Sequence, residues 1–224
     1  MLVVSFEGCD NIGKSTIIDK LKHLYKNNYN VFTLSSSAPP KDIINTEKYQ
    51  FKIFTQRSKM INAIFSINDK TKQDTIVLLD RFCYDEGVYG KLYRFANNKY
   101  ISKLCKKCYH FIKRGNLDIK VGVIRLVAGS DLILNNDDNN SFTSNISNIE
   151  DRKRQIALEQ KLFNETLKNC IKNKSLDFYF TINVESTFGS KFRDINDIIT
   201  DIIDKLSSVY YLSFENKNNS NNNE

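Results

Sequence analysis

The chain reads as an α/β protein, a three-layer sandwich with a central parallel sheet and helices on both faces, and two observations predict this. Short apolar runs alternate with segments whose apolar residues recur at helical spacing, the pattern of repeated strand–helix units. Two of those apolar runs also end in residues suited to a phosphorylated ligand, at positions 8–16 and at Asp80-Arg81. In open parallel sheets ligands bind at the carboxyl ends of the strands, so both stretches should face one cleft.

The first strand is the run 2–6, closed by Gly8. Ile17, Ile18, Leu21 and Leu24 then recur at helical spacing, so a helix follows directly. Residues 30–34 form a second strand, broken by Ser35, Ser36, Ser37 and the chain's two prolines, Pro39 and Pro40. A helix over 48–68 carries Phe51, Phe54, Ile61, Ile64 and Phe65 at core-like offsets. The continuous apolar run 76–79 ending in Asp80 fits a central strand buried on both faces. Helical signal resumes over 85–95 and again over 100–113, a strand follows at 120–127, and a short helix starts at 131–134. Residues 135–148 are rich in Asn, Asp, Ser and Thr and are expected to form a mobile loop. A long helix over 149–172, a strand over 177–184 and a helix over 195–206 complete the domain. One domain is expected over 1–212, with a lid at about 135–155 and a disordered Asn-rich tail over 213–224.

Composition narrows the function. At 224 residues with 41% hydrophobic content the chain can bury a substantial core. No apolar run approaches a membrane span and no signal-peptide pattern opens it, so a cytoplasmic protein without a membrane partner is expected. Five cysteines, an odd number, agree with a reducing compartment. Cys105 and Cys108 share an apolar stripe with Ile101, Leu104, Phe111 and Ile112, which favours core packing over metal binding. Cys9 is a candidate oxidation site. The net charge of +7 calls for an anionic partner. The dense cations Lys99, Lys103, Lys106, Lys107, Lys113 and Arg114 lie mostly opposite the apolar stripe, as on a solvated helix face. Small phosphorylated molecules are therefore the expected partners, and nucleic acid is not.

The chemistry concentrates in two motifs. Gly8, Gly13, Lys14 and Ser15 fit G-x-x-x-x-G-K-[ST] between a strand and a helix, the context that motif needs. Its glycines let backbone N–H groups of Gly8, Cys9, Asp10, Asn11, Ile12, Gly13, Lys14, Ser15 and Thr16 close around ATP phosphates, aided by the helix N-terminus. Lys14 is placed for the β- and γ-phosphates and Ser15 for Mg²⁺. The competing reading is a Gly-containing turn before a helix. In the second motif Asp80 ends a buried strand, suited to hold Mg²⁺ through water, and Arg81 can clamp a phosphate bidentately. Its competing reading is a strand-end salt bridge.

With these motifs in view the chain resembles the thymidylate kinase family, among the P-loop nucleoside monophosphate kinases and near the deoxynucleoside kinases. Residues 6–16, Phe-Glu-Gly-Cys-Asp-Asn-Ile-Gly-Lys-Ser-Thr, look like that family's F-E-G-x-D-x-x-G-K-S-T. Asp80-Arg81-Phe82 is similar to its D-R-[YFHS], Val88-Tyr89-Gly90 to part of A-Y-Q-G, and Gln56-Arg57 to the N-R of a helix lining the base pocket. The resemblance implies ATP and Mg²⁺, Asp10 on the deoxyribose 3′-hydroxyl, and Arg81 on the acceptor phosphate with Asp80 near the metal. It also implies Phe54 and Arg57 at the base, Tyr89 at the sugar, and a homodimer. The chain departs from the family at Ile53, in a slot often aromatic, at Asp85, where serine is common, and at Gly90, where glutamine or threonine assists base recognition. No arginine stands in the phosphate loop, where Asn11 takes the slot, or in the lid before Arg152 and Arg154. One of these two is expected to replace the missing arginine; the alternative is a solvated face paired with Glu150, Asp151 and Glu159. Three functions stay open: a monophosphate kinase with dTMP as acceptor, a deoxynucleoside kinase, and a non-catalytic nucleotide-binding protein.

Overall fold

The structure is a computed structural model that describes residues 1–36, 39, 45–68, 74–115, 118–137, 143–144, 146–187, 189 and 191–210. Five strands, β1 (Leu2–Glu7), β2 (Asn30–Ser35), β3 (Thr75–Asp80), β4 (Lys120–Val127) and β5 (Phe178–Asn183), form one parallel sheet in the order β2-β3-β1-β4-β5. β1 and β3 lie inside and are buried along almost their whole length, which is why they read as unbroken apolar runs.

Alternation along β1 sorts the core into two layers. Leu2, Val4 and Phe6 face a cluster built with Ile17, Ile18 and Leu21 of α1 (Lys14–Tyr25) and with Ile198, Ile199 and Ile202 near the C-terminus. Val3 faces the opposite cluster. That cluster is closed by α2 (Thr46–Asn68), by α4 (Asn98–Ile112) and by Leu167 and Cys170 of α6 (Ile149–Lys172). Between them run α3 (Tyr89–Arg94) and α5 (Ser130–Asn135), and α7 (Ile195–Ser207) ends the fold. A five-stranded parallel sheet with helices on both faces is the architecture the sequence predicts.

Several boundaries move for identifiable reasons. The helix expected over 85–95 is a 3₁₀ turn, Asp85–Gly87, followed by α3. Glu86, Gly87, Val88, Tyr89 and Gly90 are all buried, and one helix face cannot bury consecutive residues. A Cβ on Gly87 would lie 2.1 Å from Thr166 Oγ1, so the turn rests directly on α6. α3 stops at Phe95, which takes a left-handed conformation (φ 56°) and is exposed. α4 starts two residues earlier than expected because Asn97 Oδ1 accepts the Tyr100 N–H at 2.9 Å, an N-cap. Asn148 likewise caps α6 by accepting from Glu150 N. Leu24 is 43% exposed and Tyr25 takes the core position beside it. Ser37, Ala38 and Pro40, much of the 135–148 loop and the tail from 211 lie outside the described residues. Among the described residues no helix is long and apolar enough to cross a membrane.

Candidate active site

The carboxyl ends of β1 and β3 bring the two motifs together. β1 leads into the loop 8–13, which enters α1 at Lys14. Gly8 adopts φ 151°, and a Cβ there would lie 2.8 Å from the Leu126 carbonyl of β4, so only glycine fits. Gly13 caps α1 at φ 84°, and Asn11 is also left-handed at φ 58°. These turns wind the loop back over the helix N-terminus, the cradle anticipated from the motif.

Lys14 is buried, and its ammonium donates to the carbonyls of Cys9 at 2.7 Å and Gly8 at 3.3 Å. Burial, with Arg81 nearby, pulls its pKa down to about 8, while Asp10 and Asp80 oppose the shift. An anionic ligand here would raise that pKa again. Ser15 Oγ donates to Asp80 Oδ2 at 2.8 Å, joining the two motifs by a direct bond. Ser15 and Thr16 are exposed at the loop mouth, whereas Ile12 is buried beneath it. A hydroxyl and a carboxylate oxygen side by side suit Mg²⁺, which takes few protein oxygens and leaves the remaining positions to water and phosphate.

Arg81 follows at φ 65° and faces the phosphate loop. Its guanidinium pairs with Asp10 and lies 4.6 Å above the Tyr89 ring. Burial works against the charge, yet Tyr89, Asp10, Asp85 and Glu7 hold it more firmly protonated than an ordinary arginine. Its Nη1 is buried without a hydrogen-bond partner, a spare donor in a site expected to take phosphate. Arg57 of α2 donates to Ser36 Oγ, and Ser36 Oγ in turn donates to the Arg81 carbonyl at 3.0 Å. Arg57, Ser36 and Arg81 thus form one wall.

Other expected site residues sit elsewhere. Phe54 is a core residue, 2% exposed and packed edge-to-face on Phe82, so it supports the wall rather than forming its surface. Cys9 is buried, and its thiol is held well above the usual range by burial and by Glu159, which removes it as an oxidation site. A Cβ on Gly90 would meet Glu86 Oε2 at 2.8 Å and the Ala96 Cβ at 3.2 Å; α3 packs too tightly there for a recognition side chain. Arg154 is 81% exposed and among the described residues pairs only with Asp151, one turn away on the outer face of α6. Arg152, two residues earlier and therefore on another face, is 19% exposed and pairs with Asp137. Asp137 Oδ1 accepts from Asn11 Nδ2 at 2.9 Å, which ties Arg152 to the phosphate loop. Arg152 Nε is buried without a hydrogen-bond partner.

Three acids escaped the sequence reading of the site. Glu7 ends β1, fully buried, and accepts from Ser5 Oγ and from the Phe82 N–H at 2.9 Å. Burial and the neighbouring Asp85 raise its pKa, and its two hydrogen bonds brace the two motifs against each other. Glu159, which the alternative reading put on a solvated face, is 2% exposed and accepts from Tyr93 at 2.9 Å and from Tyr89 at 3.4 Å. The spacing of Ile156, Glu159, Phe163 and Thr166 places it on the buried stripe of α6, a signal the sequence did carry. Asp137 lies in a uniformly polar run, and nothing in the sequence marks it.

Among solved structures the chain is similar to thymidylate kinase from Ehrlichia chaffeensis, with 17% identity and a TM-score of 0.51, over 92% of this chain and 98% of that one. It is also similar to the YorR protein of Bacillus subtilis in complex with phosphorylated GDP, with 19% identity and a TM-score of 0.53, over 94% and 99%. At these identities the likeness establishes the fold alone, the α/β sandwich that this chain shares with both structures. No protein-family model matches the chain, and no curated protein does.

Proposed function

We propose that this protein transfers the γ-phosphate of ATP to a (deoxy)nucleoside monophosphate, with dTMP as the acceptor. The observation that carries the reading is Arg81. It is held by Asp10 beside the phosphate loop, covers Tyr89, and keeps one buried N–H group uncommitted. A monophosphate gripped there would lie across from the loop and from the Ser15–Asp80 pair.

Each residue then has a part. Backbone N–H groups of the loop and Lys14 bind the ATP phosphates, and Lys14 exchanges its carbonyl partners for phosphate oxygens. Ser15 and Asp80 would hold Mg²⁺, which when bound supplies charge neutralisation between the phosphates. Arg81 orients the acceptor phosphate, Tyr89 and Asp10 border its sugar, and Arg57 reaches the base. Arg152 approaches from the lid side, in place of the arginine missing from the loop. Catalysis here is positioning plus electrostatic stabilisation, so little proton transfer is required of the protein. β2 ends in Ser35 rather than an acid, which favours a phosphate acceptor over a sugar hydroxyl. The family resemblance adds a homodimer to this reading.

The test is ADP release with ATP and Mg²⁺ across the deoxynucleoside monophosphates and the deoxynucleosides. Turnover with monophosphates, highest for dTMP, is expected. Turnover only with deoxynucleosides, or tight ATP binding with no turnover at all, would overturn the proposal.

A further inference from the structure

A cavity of about 390 Å³ opens where α3, the first turns of α4 and the C-terminal turns of α6 meet, and neither motif of the cleft lines it. That volume is in the range of small-molecule sites. Its floor is apolar: Ile101 of α4 and Cys170 of α6 are 6% and 5% exposed and belong to the core beneath. Ile101 and Ser102 line this cavity, whereas Lys103 reaches the Phe51 ring of α2 on the other flank of α4. An occupant here therefore does not compete for the outer surface that α4 shares with α2.

The walls are polar and uncommitted. Lys91 stands on α3, Asn98, Lys99 and Ser102 on α4, and Asn169 and Asn173 at the end of α6. Among the described residues none of these six side chains forms a hydrogen bond or an ion pair. Other cations of the same two helices are already engaged: Arg94 at the end of α3 pairs with Glu86, and Lys113 at the end of α4 pairs with Asp177. Thr166 of α6 lines the same cavity at 4% exposure, and its Oγ1 is buried without a hydrogen-bond partner.

This lining selects a class of ligand. It holds two ammonium groups and, among the described residues, no carboxylate, so its field attracts anions. The positive end of α4 adds to that field at Asn98 and Lys99, the first residues of a 15-residue helix. The asparagine amides and the Ser102 hydroxyl can each donate and accept, as recognition of hydroxyl groups requires. Among the described residues no aromatic ring lines the cavity, so a nucleobase would find no surface to stack on.

We infer that the cavity between α3, α4 and α6 is a binding site for a phosphorylated sugar, its phosphate held by Lys91 and Lys99 and its hydroxyls by the asparagine amides and Ser102. The site is separate from the nucleotide cleft and shares no side chain with it. It lies behind the acceptor side all the same: Lys91 follows Tyr89 by two residues in α3, and Thr166 backs Gly87 in the turn before that helix.

The experiment is calorimetric titration of the full chain with ribose 5-phosphate, glucose 6-phosphate and fructose 1,6-bisphosphate, alongside inorganic phosphate and the free sugars. At least one sugar phosphate should bind one per chain with a Kd below about 1 mM, and at least tenfold more tightly than inorganic phosphate or its free sugar. Lys91→Ala/Lys99→Ala should weaken that binding at least tenfold. Ser102→Leu, which fills the cavity at constant charge, should do the same. Lys20→Ala/Lys22→Ala, exposed on α1 and losing the same charge, and Lys14→Met in the phosphate loop should each change it less than threefold. Failure of all three sugar phosphates to bind overturns the inference. So does inorganic phosphate binding as tightly as they do, or a loss in Lys14→Met equal to that in Lys91→Ala/Lys99→Ala, which would place the ligand in the cleft. Circular dichroism melts of every variant confirm that each remains folded.

Discussion

Arg152→Ala and Arg154→Ala separate a residue turned toward the cleft from one turned away. An arginine that spreads charge over a transferring phosphoryl group contributes about 10³–10⁵ in rate. Arg152 stands next to the phosphate loop through Asp137 and Asn11, and its Nε is uncommitted. Its removal should therefore lower kcat at least a hundredfold, about 2.7 kcal/mol of transition-state stabilisation at 1.36 kcal/mol per decade. The same change removes the cation facing Asp137, whose side chain is only 4% exposed, so the melting temperature should fall as well. Arg154 makes one exposed i,i+3 pair, which contributes about 0–1 kcal/mol, and its loss should leave kcat within twofold. The assay is coupled ADP release at saturating ATP and acceptor, with melting curves for both variants. Retention of near-normal kcat in Arg152→Ala, or a larger loss in Arg154→Ala, refutes the assignment. Asp137→Asn guards against a merely structural effect: it breaks the same ion pair yet leaves the guanidinium in place, so kcat should survive.

Three more outcomes rest on burial and close packing. Lys14 has a folded pKa near 8, below its unfolded value, so the unfolded state binds more protons between the two. Ligand-free wild type should gain stability from pH 8 to 10, and Lys14→Met should lose that gain in pH-dependent denaturant titrations while showing no turnover. Burial and then Glu86 raise the Asp85 carboxyl to about 7, so the folded state binds the extra proton and its stability falls as pH rises from 4 to 7. Asp85→Asn, with its charge abolished, should melt higher than wild type at pH 8 and nearly with it at pH 5. A Cβ at Gly122 would lie 2.0 Å from the Phe178 ring on β5, so Gly122→Ala should destabilise by roughly 1–3 kcal/mol, or about 2–4 °C per kcal/mol in melting temperature. An unchanged melting temperature would show that the ring moves aside freely.

The inner strands β1 and β3 were legible because each is short and apolar enough to be buried on both faces, and the phosphate loop because its glycines are demanded by local backbone geometry. Gly8 against the Leu126 carbonyl and Gly13 at its left-handed cap are the physical content of that motif. Helical spacing likewise places α1, α2, α4 and α6 within a few residues, since amphipathic periodicity is a property of the chain alone. The segment between Arg81 and α4 was not legible. Its 3₁₀ turn, the short α3 and the close fit of Gly87 and Gly90 answer to Thr166, Glu86 and Ala96, partners brought in by the fold. Side-chain direction was also out of reach: Arg152 and Arg154 differ by two positions in sequence, and only the docking of α6 on the sheet decides which one meets Asp137. Local conformation and burial pattern are written in neighbouring residues, whereas the partner of a buried acid or an exposed lysine is set by contacts between residues far apart in the chain.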